Sequence, residues 1–124
     1  MKKAIITGAN GFLGGALAKK LLNQGVKVIA IGTDEKQLSE LRKFGDCMPL
    51  IVTFLEYEKL PEMIQEPDID VFYHFAWAGG FTTAIKDYKL QMSNAGYAGD
   101  AVAAAYAMGV KKFVYANTYN QFEI

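Results

Sequence analysis

Three glycines, Gly8, Gly11 and Gly14, stand at every third position directly after the apolar run Ala4-Ile5-Ile6. Such spacing is informative where a strand turns into a helix, and the flanking residues supply both. Lys3 to Thr7 reads as a buried strand, and Leu13, Leu17 and Leu21 line one face of a helix that Gly25 ends. The same alternation continues along the chain. Nearly continuous apolar runs at 26–31, 49–54, 70–76 and 111–116 read as strands covered on both faces. Between them lie a helix opened by Asp34 with Gln37 and striped by Leu38 and Leu41, a short helix near Leu60 to Gln65, and a long one over 82–108. In the last, Ile85, Tyr88, Met92, Ala95, Gly99, Val102 and Tyr106 recur at spacings of three and four. Alternating strands and helices predict an α/β domain, a doubly wound parallel sheet of five strands with helices on both faces.

Charge narrows what such a domain meets. Thirteen Lys and Arg balance thirteen Asp and Glu, interspersed along the chain, so no field points to nucleic acid or an anionic membrane. A small, neutral partner is the natural expectation. Cys47 is the single cysteine and has no partner for a disulfide or a metal site. Met1-Lys2-Lys3 leads into a run broken by Gly8, too early for a secretion signal, and no apolar stretch reaches the roughly 18 residues of a membrane helix. The chain reads as one cytoplasmic domain over residues 1–124.

Each of the three glycines is expected to serve the turn differently. Gly8 permits a sharp change of direction, Gly11 lets a pyrophosphate approach the backbone, and Gly14 lets helix and strand pack closely. The helix N-terminus then offers unpaired N–H groups to an anion. A P-loop is excluded, because no Gly-Lys-Ser/Thr follows.

These residues resemble a family, the extended short-chain dehydrogenase/reductases that include the NAD-dependent sugar-nucleotide epimerases and dehydratases. TGANGFLG (7–14) is similar to the family's TGAxGFxG, and YHFAWAG (73–79) to the segment that ends its fourth strand. GVKKFVYANT (109–118) resembles the approach to its catalytic Ser or Thr, and Asn94 falls where the family carries an Asn in the long helix. The resemblance implies a Rossmann-like sheet of order 3-2-1-4-5 and a dinucleotide, NAD or NADP, as cofactor. It places Gly8, Asn10, Gly11, Phe12, Leu13 and Gly14 at the pyrophosphate. Phe75, Ala76 and Trp77 then edge the nicotinamide-side ribose, and Asn94 orders the turn near Thr118, the matched catalytic residue. The substrate class it implies is a nucleotide-linked sugar.

Two positions depart from the pattern. Gly32 stands where the family carries an acidic residue on the adenosine ribose, which leans the expectation toward NADP, with Thr33 and Lys36 as contacts and Asp34 as the nearest substitute carboxylate. Phe54-Leu55 replaces an Asp that holds adenine, leaving apolar contact and the Leu55 backbone to do so. The family's Tyr-x-x-x-Lys pair would fall beyond Ile124, as would a C-terminal substrate lobe, and neither Tyr115 nor Tyr119 has a Lys at that spacing. The chain therefore reads as the N-terminal half of an enzyme, which binds without turnover, or as a non-catalytic dinucleotide sensor. A doubly wound domain of another family is the third reading. His74, the single histidine, is expected to fix the loop after its strand by bonding nearby backbone. Trp77 and Phe81 either stack on nicotinamide or substrate or cover the strand end. The stripe on the long helix is more than one sheet face covers, which suggests a homodimer through 82–108, with Ala95, Gly99 and Ala103 small enough for close approach.

Overall fold

A helix or turn lies between each pair of successive strands and carries the chain back along the sheet, so all five strands run parallel. The computed structural model describes residues 1–77 and 88–116, with every side chain except those of Tyr88 and Gln91. The strands β1 (Lys3–Thr7), β2 (Lys27–Gly32), β3 (Cys47–Ile51), β4 (Val71–His74) and β5 (Lys112–Tyr115) stand in the order β3-β2-β1-β4-β5. That is the expected Rossmann-like order. The helices are α1 (Phe12–Asn23), α2 (Glu35–Glu40), α3 (Leu60–Met63) and α4 (Tyr88–Ala107). Short 3-10 turns at Leu41–Phe44 and Phe54–Lys59 complete the described elements.

Side chains alternate across each strand, and the alternation divides the core in two. Ala4 and Ile6 of β1 and Val28 and Ala30 of β2 face α1 and α2, where Ala18, Leu21, Leu22, Leu38 and Leu41 cover them. Ile5, Ile29, Ile31 and Phe72 face the other way, toward Tyr57, Leu60 and the Ala101, Ala104 and Ala105 of α4. On the first face a partly alanine-lined sheet receives leucines; on the second, large strand residues receive alanines. Large residues thus meet small ones between sheet and helices on both faces.

Several elements differ from expectation. Helix α1 buries Gly14, Ala18, Leu21 and Leu22, while Leu13 is exposed and Leu17 half-buried. The buried face lies one residue further on because Gly14 must sit against the turn beneath it. Strand β3 occupies Cys47–Ile51 instead of 49–54. Thr53 and Glu56 form a capping box that opens a 3-10 turn at Phe54 and takes the last residues out of the strand. Asp34 does cap α2, its Oδ1 accepting from the Gln37 N–H at 3.1 Å. On α4 the apolar stripe is not the buried face: Met92, Ala95, Gly99, Val102 and Tyr106 are not buried, whereas Asn94, Ala101, Ala104 and Ala105 are. The face of α4 that meets Ile5 and Phe72 is built mainly of alanines, with Tyr97 packed beside them. Residues 82–87, Phe81 and Thr118 lie outside the described residues.

Candidate functional site

The C-terminal ends of β1, β2 and β4 converge on the turn Gly8–Gly11, the position at which parallel sheets of this order carry their ligands. Gly8 has a φ of +70°, a left-handed conformation that disfavours any side chain. A Cβ there would also lie 2.8 Å from the Ala76 nitrogen. The turn closes through Gly11 N–H to Gly8 carbonyl at 2.9 Å and is tied to β2 by Ala9 N–H to Ile31 carbonyl at 3.1 Å. Gly14 sits so close above it that a Cβ would overlap the Gly8 oxygen. Both glycines are therefore required by the protein's own packing.

Gly11 differs. It is exposed, its backbone is extended (φ −86°, ψ 176°), and a Cβ would meet nothing nearer than the Gly8 oxygen at 3.2 Å. It is also the N-cap of α1 and has no side chain to satisfy the first helical N–H groups, those of Phe12, Leu13 and Gly14. No acidic residue lies in the first turn. The helix thus presents bare donors and the positive end of its dipole, across a residue that leaves the approach open. A dinucleotide pyrophosphate fits a cradle of this kind, which any Cβ at Gly11 would begin to fill.

Beside this turn lies a cleft of about 250 Å³ edged by Gly8, Gly11, Gly32, Val52, Phe75 and Trp77. Asn10, Thr33, Phe54, Tyr57 and Ala76 also reach it. A shallower groove adjoins it, where Asn10 and Thr33 meet Asp34 and Lys36. Of the anticipated residues described, Phe12, Leu13, Gly14, Leu55 and Asn94 line neither. Phe12 and Leu55 hold their side chains in solvent, and Asn94 is buried on α4. Phe54, one residue before Leu55, supplies the apolar wall instead, its ring stacked on Tyr97 with centroids 4.7 Å apart.

Sequence reasoning missed Thr7. This buried hydroxyl accepts from the Phe75 N–H at 3.1 Å and the Ala76 N–H at 3.2 Å. The same hydroxyl hydrogen-bonds His74 Nδ1, 2.7 Å away, and the Tyr57 phenol. Thr7 therefore pins the loop after β4 against the glycine turn, and His74 orients Thr7. His74 was expected to bond backbone; instead it acts through the threonine. Its signal in the sequence was only the Thr that precedes Gly8. The other ring nitrogen, Nε2, is buried and has no hydrogen-bond partner among the described residues. Burial pushes the His74 pKa down to about 4 and the neighbouring Tyr57 phenol up to about 12. The cleft floor is accordingly uncharged at neutral pH. Among the described residues no group of His, Cys, Asp and Glu could hold a metal ion, and no helix is long and apolar enough to cross a membrane.

Known proteins share this fold. A dTDP-6-deoxy-L-talose 4-dehydrogenase (NAD(+)) of Aggregatibacter actinomycetemcomitans is 36% identical over 77 residues, which are 62% of this chain and 28% of that protein. The structure of a UDP-glucose-4-epimerase from Stenotrophomonas maltophila with bound NAD and formylated UDP-arabinopyranose superposes with a TM-score of 0.80 at 20% identity, over 97% of this chain and 38% of that one. A short chain dehydrogenase of Escherichia coli CFT073 complexed with NADPH gives 0.73 at 18% identity, over 92% and 57%. The chain thus spans less than two thirds of each of these proteins. The family description "NAD dependent epimerase/dehydratase family" matches residues 4–123. With the glycine turn, the parallel sheet and this match in agreement over almost its whole length, the chain belongs to the NAD-dependent epimerase/dehydratase family.

Proposed function

We propose that this chain is the dinucleotide-binding portion of an enzyme that oxidises, reduces or epimerises a nucleotide-linked sugar, with NAD or NADP as cofactor. The observation that carries the reading is Gly11: it is the one glycine of the three whose missing side chain the fold does not need. The N–H groups of Phe12, Leu13 and Gly14 hold the pyrophosphate, and Thr33, Asp34 and Lys36 face the adenine ribose. Phe75, Ala76 and Trp77 edge the nicotinamide-side ribose. A bound nicotinamide supplies hydride transfer. Thr118 is the residue proposed to meet the substrate oxygen, with Asn94 ordering its approach, on the strength of the family pattern. The nucleotide-sugar class is supported by the dehydrogenase and epimerase to which the chain is similar.

Titration calorimetry with NADH and NADPH tests the cofactor reading. Binding in the micromolar range is expected, with Gly11→Val weakening it at least about tenfold and leaving the melting temperature within a few degrees. Unchanged affinity in Gly11→Val, or no binding by either cofactor, would sink it. A regulatory sensor is the second reading, favoured by the uncharged cleft floor, in which neither His74 nor Tyr57 is poised to move a proton at neutral pH. Turnover of a nucleotide sugar by a chain carrying the downstream Tyr-x-x-x-Lys would exclude it.

The exposed stripe of α4 supports a homodimer built on that helix. Met92, Val102 and Tyr106 supply apolar area, and Ala95, Gly99 and Ala103 permit close approach. Sedimentation should show association that Gly99→Arg abolishes. Association that survives this change would move the interface elsewhere.

A further inference from the structure

Gly32 ends β2 without a conformational reason to be glycine, since its φ lies outside the left-handed region. Space is the reason. A Cβ at this buried position would overlap Asn10 Oδ1 and lie 3.0 Å from the Asn10 Cγ. The next neighbour, Leu38 Cδ2, is 3.3 Å away at the tip of a flexible side chain. Asn10 is held there by Thr33, whose N–H donates to the same Oδ1 at 3.3 Å. The amide therefore occupies the volume into which any side chain from the end of β2 would grow. It is also shared by the cleft and the adjoining groove.

We propose that Asn10 and Gly32 form one steric unit that decides whether the adenine ribose can carry a 2'-phosphate. This rests on the dinucleotide reading above. A carboxylate at the end of β2 would accept from a ribose diol and repel a phosphate. Here a neutral amide stands in its place. With Oδ1 engaged by Thr33, the Asn10 Nδ2 is left as a donor, suited to phosphate oxygens and hydroxyl oxygens alike. The nearest carboxylate, Asp34, is turned to its own helix, capping Gln37. Lys36 and the Thr33 and Ser39 hydroxyls share the groove with Asp34 and Glu35. The pair thus admits NADP, and a carboxylate at position 32 requires the Asn10 side chain to leave its bond with Thr33 or to be shortened.

The experiment is a double-mutant cycle read by calorimetric binding of NADH and NADPH and, without ligand, by thermal denaturation. The native chain should bind NADPH at least as tightly as NADH. Gly32→Asp alone should weaken both, because the new side chain displaces Asn10. Asn10→Ala with Gly32→Asp should recover NADH binding and shift the NADPH-to-NADH ratio at least about tenfold toward NADH. Should Gly32→Asp fail to fold, Gly32→Ala serves the ligand-free arm: its loss of melting temperature should be clearly larger beside Asn10 than beside Asn10→Ala. Additive effects in either arm, or a cofactor ratio that the double variant leaves unchanged, would overturn the assignment. A native chain that binds neither cofactor would overturn the dinucleotide reading as well, even if the melting temperatures show coupling between positions 10 and 32.

Discussion

The two ends of the parallel sheet solve opposite problems. At the end where strands begin, charges are paired. Asp70 accepts from the Lys2 and Lys3 N–H groups at 2.7 and 3.1 Å and meets Lys111 at 3.3 Å, while Glu66 bridges Lys3 and Lys27 at 3.2 and 2.6 Å. At the end where strands finish, the described residues that floor the cleft are uncharged: glycines, Thr7, a neutral His74 and a buried phenol. The first end uses its polar groups up; the second keeps helix N–H donors available. A binding site in an α/β sheet is in this sense the end whose polar groups the fold leaves unsatisfied.

Changes in the packing beneath the site should be felt most. Gly14→Val forces a branched side chain onto the Gly8 oxygen, which even a lone Cβ would overlap. A loss of about 4 kcal/mol or more is expected, enough to unfold a marginal domain. Urea denaturation measures it, and a loss below about 1 kcal/mol would mean that helix and turn are not locked together. Next comes Thr7→Val, which keeps the shape and removes the hydroxyl. The Phe75 N–H keeps the Thr7 carbonyl as an acceptor at 3.3 Å, but the Ala76 N–H and His74 Nδ1 lose their partner. Leaving them unsatisfied should destabilise by about 2–3 kcal/mol, against about 1 kcal/mol for Thr53→Val in an exposed cap.

Acid tests the comparison from both ends. The His74 pKa is held at about 4 by burial, below its ordinary 6.5. Between these values the unfolded chain binds a proton that the folded chain refuses, so stability is full above pH 6.5 and falls as pH drops toward 4. The loss reaches up to about 3 kcal/mol. His74→Phe should flatten that slope even though it is less stable at neutral pH. Asp70 acts lower. Two backbone N–H groups first, then Lys111, hold its pKa at about 2, below the usual 3.8. Its contribution is complete above about pH 4 and disappears only as pH falls through 2. Asp70→Asn should therefore remove a smaller, salt-sensitive part of the stability and leave the slope between pH 6.5 and 4 unchanged.

What could be read in the sequence was local chemistry. Glycines at a strand-to-helix turn, Asp34 before Gln37 and apolar runs of strand length carry their meaning within a few residues, and they placed β1, α1 and α2 where they stand. What could not be read depends on register. Thr7 meets His74 because β1 and β4 pair residue for residue across 67 positions, and no pattern near Thr7 announces this. Asn10 fills the space over Gly32 for the same kind of reason. The stripe of α4 misled because hydrophobicity marks what can be buried, whereas the face that packs on β1 and β4 is built mainly of Ala101, Ala104 and Ala105.

The smallest expected stability effect is the most informative contrast. Gly11→Ala sits at an N-cap with extended backbone that alanine adopts freely, and restricting the unfolded chain favours the folded state by about 0.4–1 kcal/mol. The contact with the Gly8 oxygen at 3.2 Å opposes this, since the turn must give by a few tenths of an ångström. Alanine is also a poorer N-cap than glycine. These opposing effects should nearly cancel. Gly11→Ala should then unfold in urea within about 1 kcal/mol of the native chain, while Gly14→Ala, in the first turn of the same helix, loses far more. A Gly11→Ala variant as damaged as Gly14→Ala would mean that the fold, and not a ligand, requires all three glycines, and the difference between the two ends of the sheet would then be one of packing alone.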